Sequence, residues 1–199
     1  MTRALRGIVV LVVLAAVAAP LMALNVVNTS APAVNYVFSP TGSVSVTDMT
    51  SPVLTNGFLQ SRIFQGQAGS PAAGKWVYEY RLDLRNVVGI LSIPYVTDVA
   101  IPFGTARSYD YNFDGVSTDH VFVISSGGMG TKGLSGATTW GSYIFFTFAG
   151  NVYGGGSPGN GESSYFWGVV SDYAPVVKTG YVYHDSGYQT VSVYAPNYP

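Results

Sequence analysis

The sequence predicts an all-β protein, a single-domain β-sandwich with jelly-roll or Greek-key connections, and three observations carry that expectation. Short runs rich in Val, Ile, Thr, Tyr, Phe and Trp alternate with a period of two along most of the chain, the spacing that puts successive side chains on opposite faces of a strand. Clusters of Gly, Pro, Ser, Asn and Asp separate these runs at short intervals, supplying the stops and backbone angles that strand reversals need. No window carries an apolar stripe of helical period and comparable length. At 199 residues the chain is long enough to bury one substantial core.

The elements follow in order. Arg3 and Arg6 precede an apolar run, residues 7–24, the composition of a secretory leader, so 1–24 is read as a signal peptide or an uncleaved anchor. Ala16-Val17-Ala18 and Ala31-Pro32-Ala33 each offer a small-x-small cleavage pattern. Residues 25–42 are small, polar and proline-dotted, and read as a linker to a sandwich domain over 43–199. Strands are expected at 43–47, 57–65 and 75–85. In the last of these Trp76, Tyr78, Tyr80, Leu82 and Leu84 share one face, and Val77, Glu79, Arg81, Asp83 and Arg85 share the other, which predicts a half-buried strand with one wet side. Further strands are expected at 94–103, 120–126, 142–150, 164–170, 180–185 and 189–195, with turns in the glycine-rich stretches 125–136 and 150–162 and at 171–175 and 184–188.

Composition excludes several functions. Charged residues are only 10% of the chain, and the formal net charge is -1, so no basic patch exists to neutralise a nucleic-acid backbone. The absence of cysteine removes thiol catalysis, cysteine-ligated zinc and iron–sulfur clusters. The two histidines, His120 and His184, sit at strand ends with no nucleophile elbow nearby in sequence. Glu79 lies on a charged strand face beside Arg81, an ion pair rather than a catalytic acid, and Glu162 leads into a strand. The glycine clusters have neither a following helix nor a correctly spaced lysine, so they are loops and not phosphate cradles, and Lys132 reads as a solvated loop charge. No enzyme is legible.

The one stretch with the look of site chemistry is DYNFDGVSTDH, 110–120. Asp110, Asn112 and Asp114 alternate and are followed by Gly115, the opening of a calcium loop, with the Val116 carbonyl and Asp119 as further oxygen ligands. Val121 stands where an EF-hand needs a bidentate Glu, and a strand follows instead of a helix. Asp-Gly is equally a favoured hairpin turn, and Asn and Asp cap such turns with their own side chains. The turn is the first reading and calcium the second. A further binding reading rests on aromatic side chains that could stack on sugar rings: Trp140, which opens a strand after a glycine loop, and Trp167, in mid-strand, with Tyr181 and Tyr183 as further candidates.

The stretches GESSYFWGVVSDYAP, 161–175, and DYNFDGVSTDHVFVISSG, 110–127, with the terminal TVSVYAP, resemble uncharacterised secreted bacterial β-rich proteins, many of which carry a Pro-Glu-Pro C-terminal sorting tail. The resemblance implies an exported domain at the cell surface or in the surrounding matrix, and it carries no catalytic residues. The end of this sequence, Ala195-Pro196-Asn197-Tyr198-Pro199, lacks that tail, so free secretion or tethering through the leader is expected. The expected role is a structural or interaction module outside the cytoplasm, meeting a cell-surface or matrix polysaccharide, a protein or a second copy of itself. A calcium-assisted carbohydrate-binding domain is the alternative. Membrane contact is expected only through the N-terminal segment.

Overall fold

The computed structural model describes residues 21–30, 43–49, 53–69 and 72–199. The predicted leader therefore lies, up to residue 20, outside the described residues, as does 31–42 of the predicted linker. The described residues form twelve strands: β1 Met22–Leu24, β2 Val26–Ser30, β3 Ser43–Asp48, β4 Phe58–Gln65, β5 Trp76–Asp83, β6 Tyr95–Pro102, β7 Val121–Ser126, β8 Leu134–Trp140, β9 Tyr143–Tyr153, β10 Phe166–Ser171, β11 Pro175–His184 and β12 Gly187–Pro196. They build two six-stranded sheets, β1-β8-β9-β6-β11-β12 and β2-β7-β10-β5-β4-β3, so the chain passes repeatedly from one sheet to the other. All neighbours are antiparallel except β2 and β7. The predicted β-sandwich is the observed architecture.

The core lies between the sheets, where the inward positions of each strand interdigitate. Tyr78, Tyr80 and Leu82 of β5 meet Val99 and Ile101 of β6, Ile144 and Phe146 of β9, and Trp167 and Val169 of β10. Tyr80 and Tyr78 keep their hydroxyls satisfied at the rim, donating to the carbonyls of Tyr194 (2.8 Å) and Tyr173 (2.7 Å).

Three differences from the sequence reading have physical causes. β1 and β2 fall inside the segments read as leader and linker. Leu24 pairs with Ala137, and Val26 pairs with Val121 on the other sheet, so a single residue, Asn25, carries the chain across the sandwich. Both strands are too short to show a period. β8 begins at Leu134 inside the predicted turn region 125–136, because Gly136 is tolerated opposite Thr147 at a bulge in the ladder.

The wet side of β5 is the largest correction. Glu79, Arg81 and Asp83 are all buried, and every strand residue after Trp76 is out of water. A second apolar cluster lies on that outer face: Phe64, Val77, Tyr111, Phe122, Ile124, Phe166 and Val170. Tyr111 is delivered by the 110–120 loop, and its hydroxyl accepts the Val170 N–H at 3.1 Å. Burial lifts the Tyr111 hydroxyl well above its ordinary pKa.

Two of the edge strands, β12 and β2, make side-chain contacts beyond their ladders. On β12 the Tyr194 N–H donates to Ser61 Oγ (3.2 Å) and the Ser192 carbonyl accepts from Thr47 Oγ1 (2.6 Å), so the second sheet closes over the end of the first. On β2 the Thr29 hydroxyl donates to the Tyr111 carbonyl at 3.4 Å.

Candidate functional site

The outer face of the first sheet is built from the outward positions of β8, β9, β6, β11 and β12. Reading across the strands, one row runs Gly136, Thr147, Asp98, Tyr183, Tyr188, and the next runs Thr138, Phe145, Ala100, Tyr181, Thr190. Trp140, Tyr143 and Pro102 begin a third. The register follows from the sequence. Gly141 and Ser142 make a two-residue hairpin with Gly141 at φ 58, the left-handed turn angle that glycine adopts without strain, and this sets Trp140 directly opposite Tyr143. The small Ala100 on the central strand β6 lets rings from β9 and β11 meet above it, and it is fully buried beneath them.

The rings form a connected set. Trp140 lies 6.1 Å from Phe145, Phe145 lies 5.9 Å from Tyr183, and Tyr183 lies 5.8 Å from Tyr188. Tyr143 meets Tyr181 at 5.7 Å, and Tyr181 meets Tyr188 at 5.6 Å. Their planes are mutually tilted, so they present a corrugated surface. Trp140 and Tyr188 remain 58% and 61% exposed, far more than core packing would leave them. Partial burial and the neighbouring phenols raise the hydroxyls of Tyr143 and Tyr183, so both stay neutral hydrogen-bonding groups.

A pocket opens at one end of this face, lined by Leu21, Asp98, Thr138, Trp140, Phe145, Thr147 and Tyr183. Asp98 is the only charged side chain in these rows. Its Oδ1 accepts the Thr147 hydroxyl at 2.6 Å, which fixes the carboxylate while leaving acceptor capacity toward the pocket. None of the facing residues is basic.

Of the sequence-predicted residues, Trp140, Tyr181 and Tyr183 are brought together here. Trp167 is not. It is 1% exposed, wedged among Tyr80, Phe146 and Phe148 at 6.1, 5.9 and 5.3 Å, and its side chain is core. Its position in β10, a strand covered on both faces, explains the error. Phe145, Tyr143, Tyr188 and Asp98 were missed, although the alternation of YIFFTF and the GYQTV hairpin already placed three of them on outward positions.

The 110–120 loop holds itself together. Asp110 accepts the backbone N–H of Asp114 and of Gly115 through its two carboxylate oxygens, at 3.1 and 3.0 Å. Asp114 accepts the Val116 N–H at 2.8 Å through one oxygen and the Asn112 side-chain amide at 2.8 Å through the other. Asp119 stands apart at the base of the loop, 1% exposed, bonded to the Tyr111 N–H (3.0 Å) and to Asn25 Nδ2 (3.1 Å). Among the described residues no three His, Cys, Asp or Glu side chains are grouped to hold a metal ion. Asp110, Asn112 and Asp114 thus act on the turn's own amides.

Other charged and imidazole side chains are paired. Glu79 pairs with Arg62 across the strands at 2.5 Å rather than with Arg81, which pairs with Asp83 at 2.6 Å. Lys132 is not a free loop charge. It pairs with Glu162 at 3.1 Å. His120 Nδ1 accepts the Asn25 N–H at 3.3 Å, and His184 Nδ1 lies 3.5 Å from Asp185. Compared with protein-family models, with curated proteins and with solved structures, the chain matches none.

Proposed function

We propose that this protein is an exported β-sandwich binding module that takes a neutral polysaccharide chain across the aromatic outer face of its first sheet. The observation that carries the reading is the connected ring set from Trp140 to Tyr188, held in solvent on a sheet face that has a full core behind it. Aromatic rings offer apolar faces to the C–H faces of sugars, and their phenols offer donors and acceptors to hydroxyl groups. Asp98 adds a fixed acceptor. The lack of basic residues on the face argues for an uncharged sugar over a uronate or sulfated one. The 110–120 loop serves this module as a structural turn.

Export rests on Arg3, Arg6 and the apolar run after them. A cut after Ala18 would keep β1 and β2, whereas a cut after Ala33 would delete an edge strand from each sheet. Leu21, which lines the pocket beside Trp140, would go with them. Of the two cuts, the one after Ala18 is compatible with the site, as is an uncleaved leader.

Retention on insoluble cellulose and chitin and mobility in gels containing neutral soluble glucans or xylan test the proposal. Trp140→Ala and Tyr183→Ala should each weaken retention ~tenfold, equivalent to ~1.4 kcal/mol, with thermal midpoints close to the parent. Alginate should not be retained. Failure to bind any neutral polysaccharide, or binding untouched in the double variant, would sink the idea.

A further inference from the structure

A separate feature lies in the connection between β5 and β6. Residues 86–94, NVVGILSIP, contain no charged residue, and Ile90 and Leu91 at the tip are 95% and 101% exposed. Ile93 is half exposed beside them. Two adjacent aliphatic side chains standing wholly in water are costly to leave unused.

The tip is held on a firm stem. The Gly89 N–H donates to the Gly155 carbonyl at 3.0 Å, the Gly155 N–H to the Val87 carbonyl at 2.8 Å, and the Gly154 N–H to the Pro94 carbonyl at 2.8 Å. Gly89 is required by the turn itself, since a Cβ there would come 2.0 Å from the Ser92 carbonyl oxygen. Next to the loop in the chain, Tyr95 packs on Tyr153 at 5.4 Å, a pair of amphipathic rings.

The geometry points to a lipid surface as the occupant: Ile90 and Leu91 insert into the acyl boundary of a bilayer, with Tyr95 and Tyr153 at headgroup level. A second copy of the chain is a poor fit, because a stable interface needs ~800 Å² from each partner and three exposed aliphatic side chains supply far less. The charges at the base of the loop are already paired, Arg85 with Asp83 at 2.6 Å and Lys132 with Glu162 at 3.1 Å. Insertion is therefore apolar in origin and does not depend on anionic lipid. This contact is independent of the saccharide face.

The chain has no cysteine, so Leu91→Cys in the full chain gives one attachment point for an environment-sensitive fluorophore. With phosphatidylcholine vesicles its emission should shift to the blue and brighten, and brominated acyl chains should quench it. The same label at Thr190→Cys should not respond, which separates tip insertion from attachment through the N-terminal apolar run. Adding anionic lipid should change the titration midpoint less than twofold, and Ile90→Asn in the labelled chain should weaken it ~tenfold. An unresponsive label at position 91, or a response that needs anionic lipid, overturns the proposal. A response that tracks protein concentration without vesicles would assign the tip to self-association and overturn it equally.

Discussion

On the outer face of the second sheet lie Arg62, Glu79, Arg81 and Asp83, and the last three are almost wholly out of water. On the outer face of the first lie Trp140, Tyr143, Phe145, Tyr181, Tyr183 and Tyr188, and two of these are more than half exposed. The charged face is covered and the aromatic face is open. Charge on a strand reports what a side chain can do once it is there, whereas exposure depends on what the rest of the chain lays over it. Here Tyr111, Phe64 and Phe166 cover one face, and no described element covers the other.

Covering a charged face has a physical cost, and the structure meets it by pairing. Arg62 binds Glu79 and also stacks on Phe166, its guanidinium carbon 3.6 Å from the ring centroid. Asp83 is shared by Arg81 and Arg85. Arg62 Nε, Arg81 Nε and one Glu79 oxygen nevertheless find no hydrogen-bond partner among the described residues. Removing one partner of such a pair strands the other charge. Arg62→Ala should therefore be the most damaging single change on either face, costing ~3 kcal/mol in denaturant unfolding. A loss no larger than that of an exposed ring would erase the contrast between the faces.

Acid titration sharpens it further. Burial pushes the Glu79 carboxyl above its ordinary value of 4.5, with the charge and hydrogen bond of Arg62 only partly opposing it. The folded state then holds that proton more tightly than the unfolded chain, so stability should rise as pH falls through the folded value toward 4.5. For Asp83, burial acts upward but is outweighed by hydrogen bonds from Arg85 and the charges of Arg81 and Arg85, leaving it below its ordinary 3.8. Its contribution is present above 3.8 and is lost as pH falls through the lower folded value. Denaturant midpoints against pH should show a gain and then a loss. Glu79→Gln should flatten the first part and leave the second.

The smallest effect belongs to the loop that delivers Tyr111 to the covered face. Asp114→Ala removes one acceptor from a self-capped turn and should cost ~1 kcal/mol, the same in millimolar calcium and in excess chelator. A loss seen only with calcium would turn the loop into an ion site.

The sandwich was legible because nine strands are long enough to show their period, and their turns carry Gly, Pro and Asp where the backbone needs them. β1 and β2 were not, since three and five residues beside an apolar run show no alternation of their own. The aromatic face was half legible: Trp140, Tyr181 and Tyr183 stood out as residue types, but only the register across β6 reveals that Phe145 and Tyr183 are neighbours. Trp167 misled because a strand buried on both faces has no wet side to mark. The burial of Glu79 was invisible, since the residue that helps cover its face, Tyr111, lies thirty-two positions away along the chain.

The passage at Asn25 has a consequence for how the molecule comes to be folded. β1 waits for residues 137–139 and β2 for 121–126, so the first strands of the domain have no partner until more than half of the chain has been made. Closing loops of that length before any contact rewards them is slow, and pairings so distant in sequence place folding in the millisecond-to-second range. The domain's beginning thus waits on its middle. Once paired, one short segment completes an edge of both sheets at once.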